Sequence, residues 1–197
     1  MTRYLTLLQN PPATIPPTAE VIITYSVPGV GEVYISEQPP LLVSGGTTGL
    51  RTWEASLLLS EWLLEQDLRG KNILELGSGT GLTGILAAKK GANVTVTDGS
   101  ETVVTKLRSN FQLNNVDGEI RSLWWGEQDE ILERRWDLVL GADIAYDKDV
   151  CSNLAQTYAL ALRHGGTGIL AVTVRNVDTV NAFLRESGTA FSIPFLR

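Results

Sequence analysis

A glycine-rich turn that follows an acidic strand is the part of this sequence best suited to hold a ligand. Asn72 to Leu76 is an apolar run with one acidic residue, Glu75, and it leads into Gly77-Ser78-Gly79-Thr80-Gly81 and then into the helix-like run Leu82 to Ala88. Glycines let the backbone turn sharply and approach a ligand with no Cβ in the way. A strand, a glycine turn and a helix form the first unit of a doubly wound α/β sheet, whose ligands bind beyond the carboxyl ends of the strands.

The spacing of these glycines favours S-adenosylmethionine (SAM) over a dinucleotide. The turn matches Gly-x-Gly-x-Gly, whereas the dinucleotide pattern Gly-x-Gly-x-x-Gly requires a glycine where this chain has Leu82. A pyrophosphate binds to amides at a helix N-terminus, while a sulfonium with an amino-acid tail is stabilised by nearby carboxylates. We therefore predict SAM as the cofactor, with Glu75 beside it. A tight turn without any ligand is the alternative interpretation.

Acidic and aromatic residues end the later predicted strands at the same edge of the sheet. Asp98 ends the second strand, where a carboxylate can bind a ribose diol. Trp124 and Trp125 end the third strand, and from residue type alone either indole could flank an adenine. Asp143 and Tyr146 follow the fourth strand, where they could meet a substrate beside the sulfonium. The alternatives are that both aspartates cap helices and that the aromatic rings are packed in the core.

The surrounding pattern alternates β-rich and helical runs. Apolar strands between helices predict a doubly wound, mostly parallel, Rossmann-like α/β sheet covered on both faces. After the first strand, the sequence predicts strands at 93–98, 120–125, 136–143, 169–174 and, shorter, 191–193. It predicts helices at 53–66, with Thr52 as the cap, and at 82–88, 101–114, 149–163 and 178–187.

The first 41 residues have a different character. A proline-rich linker at 10–17 precedes two β-rich runs, Val21 to Val27 and Gly31 to Ile35, which flank the turn pair Pro28-Gly29. We therefore divide the chain into residues 1–41, which hold the linker and a β-hairpin, and a main domain at 42–197.

Composition excludes several functional classes. The chain has 197 residues, a formal net charge of −6, one cysteine and one histidine. Cys151 cannot form an internal disulfide, so a reducing, cytoplasmic location is expected. His164 alone builds neither a histidine-rich metal site nor a Ser-His-Asp triad, and we predict no metal. The negative charge argues against nucleic acid as a partner. No apolar run reaches the roughly 18 residues that would predict a membrane span.

Three motifs resemble a known family. Glu75 to Gly81 resembles motif I of the class I, seven-β-strand SAM-dependent methyltransferases, although the last strand of that sheet is not visible here. Asp143-Ile144-Ala145-Tyr146 resembles the Asp-x-x-Tyr motif of the protein-lysine branch, and 48–55 resembles its pre-motif segment. Within the branch, stretches 45–55, 82–84 and 171–176 are most similar to the elongation factor 2 lysine methyltransferases. The resemblance covers about residues 42–195 and makes 42–197 a methyltransferase domain.

The resemblance also implies a set of site residues. Asp143 would orient the substrate lysine and Tyr146 would line its channel, so these two are the expected catalytic residues. The resemblance prefers Trp125 to Trp124 beside the adenine. The cofactor contacts that it implies, besides the predicted Glu75, are Trp53, Gly77, Ser78, Gly79, Asp98, Trp125 and Ala142.

The expected function is therefore SAM-dependent protein-lysine N-methylation, with elongation factor 2 as the substrate and S-adenosylhomocysteine as the product. We expect a monomer without membrane partners. A methyltransferase for another protein is one alternative. A small-molecule or nucleic-acid methyltransferase is another, which would share the glycine turn and Asp98 but would not need Asp143 with Tyr146. A non-catalytic SAM-binding module is the third possibility.

Overall fold

The computed structural model describes residues 6–7, 20–38, 48–173, 181, 183 and 185, which include eight strands and four α-helices. The strands are β1 (Thr6–Leu7), β2 (Val21–Val27), β3 (Gly31–Glu37), β4 (Asn72–Leu76), β5 (Asn93–Asp98), β6 (Glu119–Ser122), β7 (Leu138–Ala142) and β8 (Thr167–Ala171). The helices are α1 (Glu54–Leu64), α2 (Leu82–Lys89), α3 (Glu101–Leu113) and α4 (Lys148–Leu162), with a short 3₁₀ helix at Glu130–Glu133.

The central sheet is parallel and contains five described strands in the order β6-β5-β4-β7-β8. The first of these along the chain, β4, lies in the middle, and the order reverses between β4 and β7. Ligands of doubly wound sheets bind at such a switch point, outside the carboxyl ends of the strands. The predicted doubly wound, mostly parallel fold is therefore confirmed. The strand expected at 191–193 lies outside the described residues.

Helices cover both faces of this sheet. Buried side chains of α1, α2 and α3 share one hydrophobic cluster, and those of α4 and the 3₁₀ helix share the other. The strands β4, β7 and β8 are consequently buried along nearly their whole length, as their apolar sequences predict. Within the predicted last helix, the described residues Asn181, Phe183 and Arg185 are helical and Phe183 is buried.

One predicted helix start is wrong. The N-cap of α1 is Trp53, which makes no side-chain capping bond. The expected cap, Thr52, is used elsewhere: its N–H donates to Glu37 Oε2 at 2.8 Å, and its hydroxyl is hydrogen-bonded to the hydroxyl of Thr80 at 2.8 Å. A partner distant in sequence therefore competes successfully for the residue that local preference assigns to the cap.

The predicted N-terminal hairpin is confirmed, with an addition. The strands β2 and β3 pair antiparallel, and the two-residue β1, which sequence reasoning missed, pairs with β2. The inward-facing residues of the hairpin, among them Ile23, Val33 and Ile35, belong to the same hydrophobic cluster as α1 and α2. Among the described residues, none of the helices is long and apolar enough to cross a membrane.

The close packing of α2 on the sheet yields a stability prediction. A Cβ at Gly84 would clash with Val96 Cγ1 and stand 2.9 Å from Glu75 Oε2. Gly84→Ala gains up to about 1 kcal/mol of helix propensity, but overpacking a core costs about 1–3 kcal/mol. Because the clash with Val96 is severe, its cost belongs in the upper part of that range, about 2–3 kcal/mol, and we expect the variant to lose about 1–2 kcal/mol of unfolding free energy in urea titrations. Ser109→Ala on the exposed side of α3 is a control for substitution by alanine outside the core, although it also removes the bond from the Ser109 hydroxyl to the Thr105 carbonyl. A Gly84→Ala protein as stable as the wild type would contradict the packing argument.

Candidate active site

The turn between β4 and α2 follows a backbone path that few residues adopt. Gly77, Gly79 and Gly81 have φ values of 63°, 54° and 86°, all in the left-handed region that favours glycine. Space is equally restricted. A Cβ on Gly77 would lie 3.1 Å from the Trp125 ring, and one on Gly79 would lie 3.2 Å from the Gly49 carbonyl oxygen. Backbone conformation and neighbouring atoms therefore both select glycine here.

A cavity of about 760 Å³ opens above this turn, beyond the carboxyl ends of β4, β5 and β7. Its size is that of a typical small-molecule site. Trp124, the alternative adenine neighbour, lies in the wall together with most of the predicted site residues. Those that the structure brings together in the cavity wall are Trp53, Gly77, Ser78, Gly79, Asp98, Trp125, Ala142, Asp143 and Tyr146.

The backbone of the glycine turn holds Asp98 in place. Its Oδ2 accepts a hydrogen bond from Gly79 N at 3.2 Å, and its Oδ1 accepts one from Ser100 N at 3.0 Å. Burial raises the pKa of this carboxyl above its usual value, and the backbone N–H donors partly offset that rise. Each carboxylate oxygen keeps lone pairs for further donors. Asp98 can therefore bind a diol at the end of β5.

Ser78 uses its side chain within the sheet. Its hydroxyl accepts a hydrogen bond from Thr97 N at 3.2 Å and donates to the Glu75 carbonyl at 3.4 Å. Its backbone N–H donates to the Thr97 carbonyl at 2.8 Å. Ser78 is thus a buried link between the turn and β5 that also borders the cavity.

The two neighbouring tryptophans border the cavity at different depths. Trp125 is partly buried against the hydrophobic cluster around α4 and lies beside Gly77. Trp124 is 61% exposed, and its ring stands 3.0 Å from where a Cβ of Gly99 would be. The geometry therefore puts Trp125 on the core side of the cavity and Trp124 on its rim.

Trp53 and Arg51 also lie in the cavity wall. The Trp53 indole donates to the Thr48 carbonyl at 3.0 Å. The guanidinium of Arg51 lies 5.1 Å from the centroid of this ring, within the range of a cation–π contact. Among the described residues of the cavity wall, Arg51 is the only cation. Sequence reasoning missed Arg51, although it lies two positions before Trp53 in the pre-motif segment.

Asp143 lies just beyond β7 in a conformation that is uncommon for a non-glycine residue, with a φ of 55°. Its N–H donates to the Ala171 carbonyl at 2.9 Å. Its carboxylate accepts two bonds from Thr173: Oδ1 from the N–H at 2.6 Å and Oδ2 from the hydroxyl at 2.8 Å. Left-handed non-glycine residues cost about 1–3 kcal/mol and cluster at functional sites. The end of β8 therefore aims this carboxylate, a role for Thr173 that sequence reasoning missed.

Tyr146 lies on the rim near Asp143. The residue is 60% exposed to solvent. Partial burial of the hydroxyl, with the charges of Asp98 and Asp147, raises the pKa of Tyr146 above its usual value. The phenol is therefore neutral at pH 7 and offers both a hydrogen-bonding oxygen and an aromatic face.

Glu75 is the predicted site residue that does not line the cavity. Successive strand residues point to opposite faces, and Glu75 shares with Ile73 the face of β4 that α2 covers. It is 2% exposed, and its Oε2 has no hydrogen-bond partner among the described residues. The structure places Glu75 in the core beneath α2, and its contact with a cofactor stays a prediction. No group of three His, Cys, Asp or Glu side chains within the described ranges could hold a metal.

The sequence matches known proteins over most of its length. Residues 43–187 match the family model described as lysine methyltransferase. Protein-lysine N-methyltransferase EFM3 of Saccharomyces cerevisiae is 34% identical over 86% of this chain and 57% of its own length. EEF1A lysine methyltransferase 3 of Mus musculus is 36% identical over 69% and 60%, respectively. Protein-lysine N-methyltransferase EEF2KMT of Homo sapiens is 30% identical over 85% and 58%. The chain thus spans a little over half the length of these relatives.

Solved structures agree on the fold. The Thermus thermophilus 16S rRNA N2 G1207 methyltransferase, solved with AdoMet and guanosine, superposes with a TM-score of 0.59. It is 21% identical in sequence, and the alignment covers 85% of this chain and 49% of the ribosomal RNA enzyme. At this identity the likeness concerns the architecture alone.

The buried Glu75 makes stability depend on pH. Burial raises the pKa of Glu75 from 4.5 to about 7. The pKa of Glu75 is higher in the folded than in the unfolded protein, so its protonation stabilises the fold. This contribution to stability is complete below pH 4.5 and is lost as the pH rises through about 7. One pKa unit corresponds to about 1.4 kcal/mol. We expect Glu75→Gln to be more stable than the wild type at pH 8, by roughly 3 kcal/mol, and to be nearly equal at pH 4.5.

Urea unfolding at pH values from 4.5 to 8.5 measures this difference. Glu65→Gln, at the exposed end of α1, controls for the loss of one negative charge. A stability difference between wild type and Glu75→Gln that stays constant with pH would show that Glu75 does not titrate in this range.

Proposed function

The chain belongs to the lysine methyltransferase family, and on this basis we propose that it transfers a methyl group from SAM to a lysine side chain of elongation factor 2. The observation that carries the proposal is the position of Asp143 and Tyr146. Both border the same cavity as the glycine turn and Asp98, and both lie on the β7 side of the switch point. A cofactor site and a lysine-orienting pair therefore share one opening.

The residues present fit SAM. Asp98, held by two backbone N–H groups, would bind the ribose diol, and the left-handed glycines let the ligand approach the backbone of the turn. Trp125 would lie beside the adenine. The carboxylates at this edge favour a cationic sulfonium, and the guanidinium of Arg51 has the charge that complements the carboxylate of the amino-acid tail. SAM, when bound, would supply an activated methyl group, whose carbon a neutral amine would attack in line while the sulfur–methyl bond breaks and S-adenosylhomocysteine leaves.

The lysine must arrive as a free amine and in line. Its reference pKa is about 10.4, so the substrate is mostly protonated at pH 7. Asp143 would accept a hydrogen bond from the ammonium or amine and orient it, while Tyr146 would wall the channel and offer its face to the cation. A carboxylate stabilises the ammonium form, so we propose that the proton passes to water before the amine is enclosed. Alignment of the two reactants would supply much of the acceleration.

Three observations support elongation factor 2 as the substrate. Stretches 45–55, 82–84 and 171–176 resemble the elongation factor 2 enzymes, and human EEF2KMT is similar over 85% of this chain. A net charge of −6 also suits a basic protein surface. The mouse relative named for EEF1A makes elongation factor 1A the competing substrate.

A labelling experiment tests the function and the substrate together. The chain would be incubated with methyl-labelled SAM and purified elongation factor 2 or elongation factor 1A, and the modified residue would be located by mass spectrometry. We expect label on a lysine of elongation factor 2, and less than about a tenth as much with Asp98→Ala at subsaturating SAM, because a hydrogen bond to a charged group contributes about 1.5–3 kcal/mol. Label on elongation factor 1A alone would overturn the substrate. Label on neither, with SAM binding intact, would overturn both elongation factors as substrates and leave the family assignment in place.

The rim position of Asp143 and Tyr146 separates catalysis from cofactor binding. Asp143→Ala should lower single-turnover methylation at saturating SAM by about 10²-fold, because a misplaced nucleophile forfeits alignment. Tyr146→Phe should cost less if the ring alone walls the channel. We expect SAM affinity by calorimetry to be nearly unchanged in both. Wild-type rates in both variants would show that Asp143 and Tyr146 have only a structural role in the turn after β7.

A further inference from the structure

None of the described strands pairs with the outer edge of β3; side chains of α3 are hydrogen-bonded to it instead. Asn114 Oδ1 accepts from Tyr34 N at 2.9 Å, and its Nδ2 donates to the Tyr34 carbonyl at 2.6 Å. Asn110 Oδ1 accepts from Ser36 N at 2.9 Å, and its Nδ2 donates to the Ser36 carbonyl at 3.1 Å. Each carboxamide thus replaces the peptide group of a neighbouring strand.

Helix and strand geometry make this match possible. Two positions four apart on a helix are separated by about 6 Å, and two positions two apart on a strand by about 6.6 Å. The spacing of the two asparagines therefore matches that of their partners, so that Asn110 bonds to Ser36 while Asn114 bonds to Tyr34. Both asparagines are buried, at 0% and 5% exposure, although asparagine is a weak helix former.

One of the two asparagines also reaches the cofactor turn. Asn110 Nδ2 donates to the Thr80 carbonyl at 2.8 Å, in the glycine turn itself. Asn114 instead donates to the Asn110 carbonyl of its own helix, at 2.8 Å. The Asn110 carboxamide therefore binds both β3 and the turn. Its three hydrogen bonds are to the backbone of Ser36, at the N–H and the carbonyl, and to the Thr80 carbonyl.

The hairpin contacts the cofactor site a second time through residues 48–53, the loop at the start of the pre-motif segment, which we call the pre-motif loop. Gln38 N donates to the Leu50 carbonyl at 2.9 Å, and Glu37 Oε2 accepts from Thr52 N at 2.8 Å. The Thr52 hydroxyl is bonded to that of Thr80. In the same loop, Gly49 lies directly over Gly79. The end of β3 therefore fixes the loop that carries Trp53 as well as the turn beneath it.

We propose that the N-terminal hairpin is a working part of the SAM site, with Asn110 and Glu37 as positioning residues. Asn110 connects the Gly77–Gly81 turn to β3 through its bond to the Thr80 carbonyl, and Glu37 connects the pre-motif loop to the same strand through its bond to Thr52 N, so that loss of either of these two links weakens SAM binding. This inference rests on the proposed function for its ligand, but the coupling itself is a property of the chain. Neither Asn110 nor Glu37 lines the cavity. Asn110 acts through Thr80, and Glu37 acts through Thr52.

The paired asparagines provide a matched comparison. Asn110→Ala and Asn114→Ala each remove two bonds to the edge of β3, but only Asn110→Ala removes the bond to Thr80. We expect Asn110→Ala to raise the Kd for SAM about tenfold and Asn114→Ala to change it less than about twofold, since one buried hydrogen bond distinguishes them. Amide hydrogen exchange at Gly79 and Gly81, followed by NMR without SAM, should accelerate in Asn110→Ala alone.

Equal changes in Kd and in exchange for the two variants would overturn the proposal, because that result would mean a general loss of stability. A wild-type chain that binds no SAM would refute the proposed function, and the exchange comparison would then decide the coupling by itself.

The second link covers the case in which Asn110→Ala does not fold. Glu37→Ala removes the acceptor for Thr52 N at the partly exposed end of β3, whereas Glu37→Gln keeps an acceptor oxygen. We expect a SAM Kd raised about fivefold in Glu37→Ala and restored to within about twofold of wild type in Glu37→Gln. The same Kd in all three proteins would overturn the role of this link.

Discussion

The backbone of the glycine turn adopts the left-handed region at three of five consecutive positions, and the rest of the structure is arranged around that path. Three separate parts of the chain pack where a Cβ would otherwise stand. The loop after β7 packs on Gly77, the pre-motif loop on Gly79, and Leu107 of α3 on Gly81. The turn is therefore the point at which the sheet, the pre-motif loop and a covering helix are held together, and the cavity lies above it.

The electrostatics of the sheet edge favour a cation. Glu75, Asp98 and Asp143 lie at or near the carboxyl ends of neighbouring parallel strands. Burial raises the pKa of Glu75 and of Asp98, because the surrounding protein solvates their charged forms poorly. A positively charged ligand nearby lowers such pKa values and stabilises the carboxylates. Under the proposed function, the same burial that disfavours charge in the protein alone would strengthen the attraction of these carboxylates for a sulfonium.

The hairpin belongs to this arrangement through packing and through hydrogen bonds. Its apolar side joins the hydrophobic cluster of α1 and α2, and its outer edge is closed by two asparagines of α3. An unpaired strand edge would expose backbone donors and acceptors to other chains. Here the edge is used inside the molecule, so the composition boundary that separates 1–41 from the remaining chain does not separate two cores.

The sequence by itself determined the doubly wound sheet, the hairpin and the edge at which the site lies. These follow from local signals: apolar runs of strand length, glycines that must be left-handed, and the rule that parallel strands end at one edge. Only the tertiary structure decided which way the side chains at that edge point. Asp143 is aimed by Thr173, 30 residues away, Thr52 is drawn from a helix cap to Glu37 and Thr80, and Glu75 turns beneath α2. From the sequence alone, Asn110 and Asn114 are only weak helix formers. They can bond to the strand edge only because the fold brings β3 next to α3. Each of these outcomes depends on a partner distant in sequence, whose position local preferences do not specify.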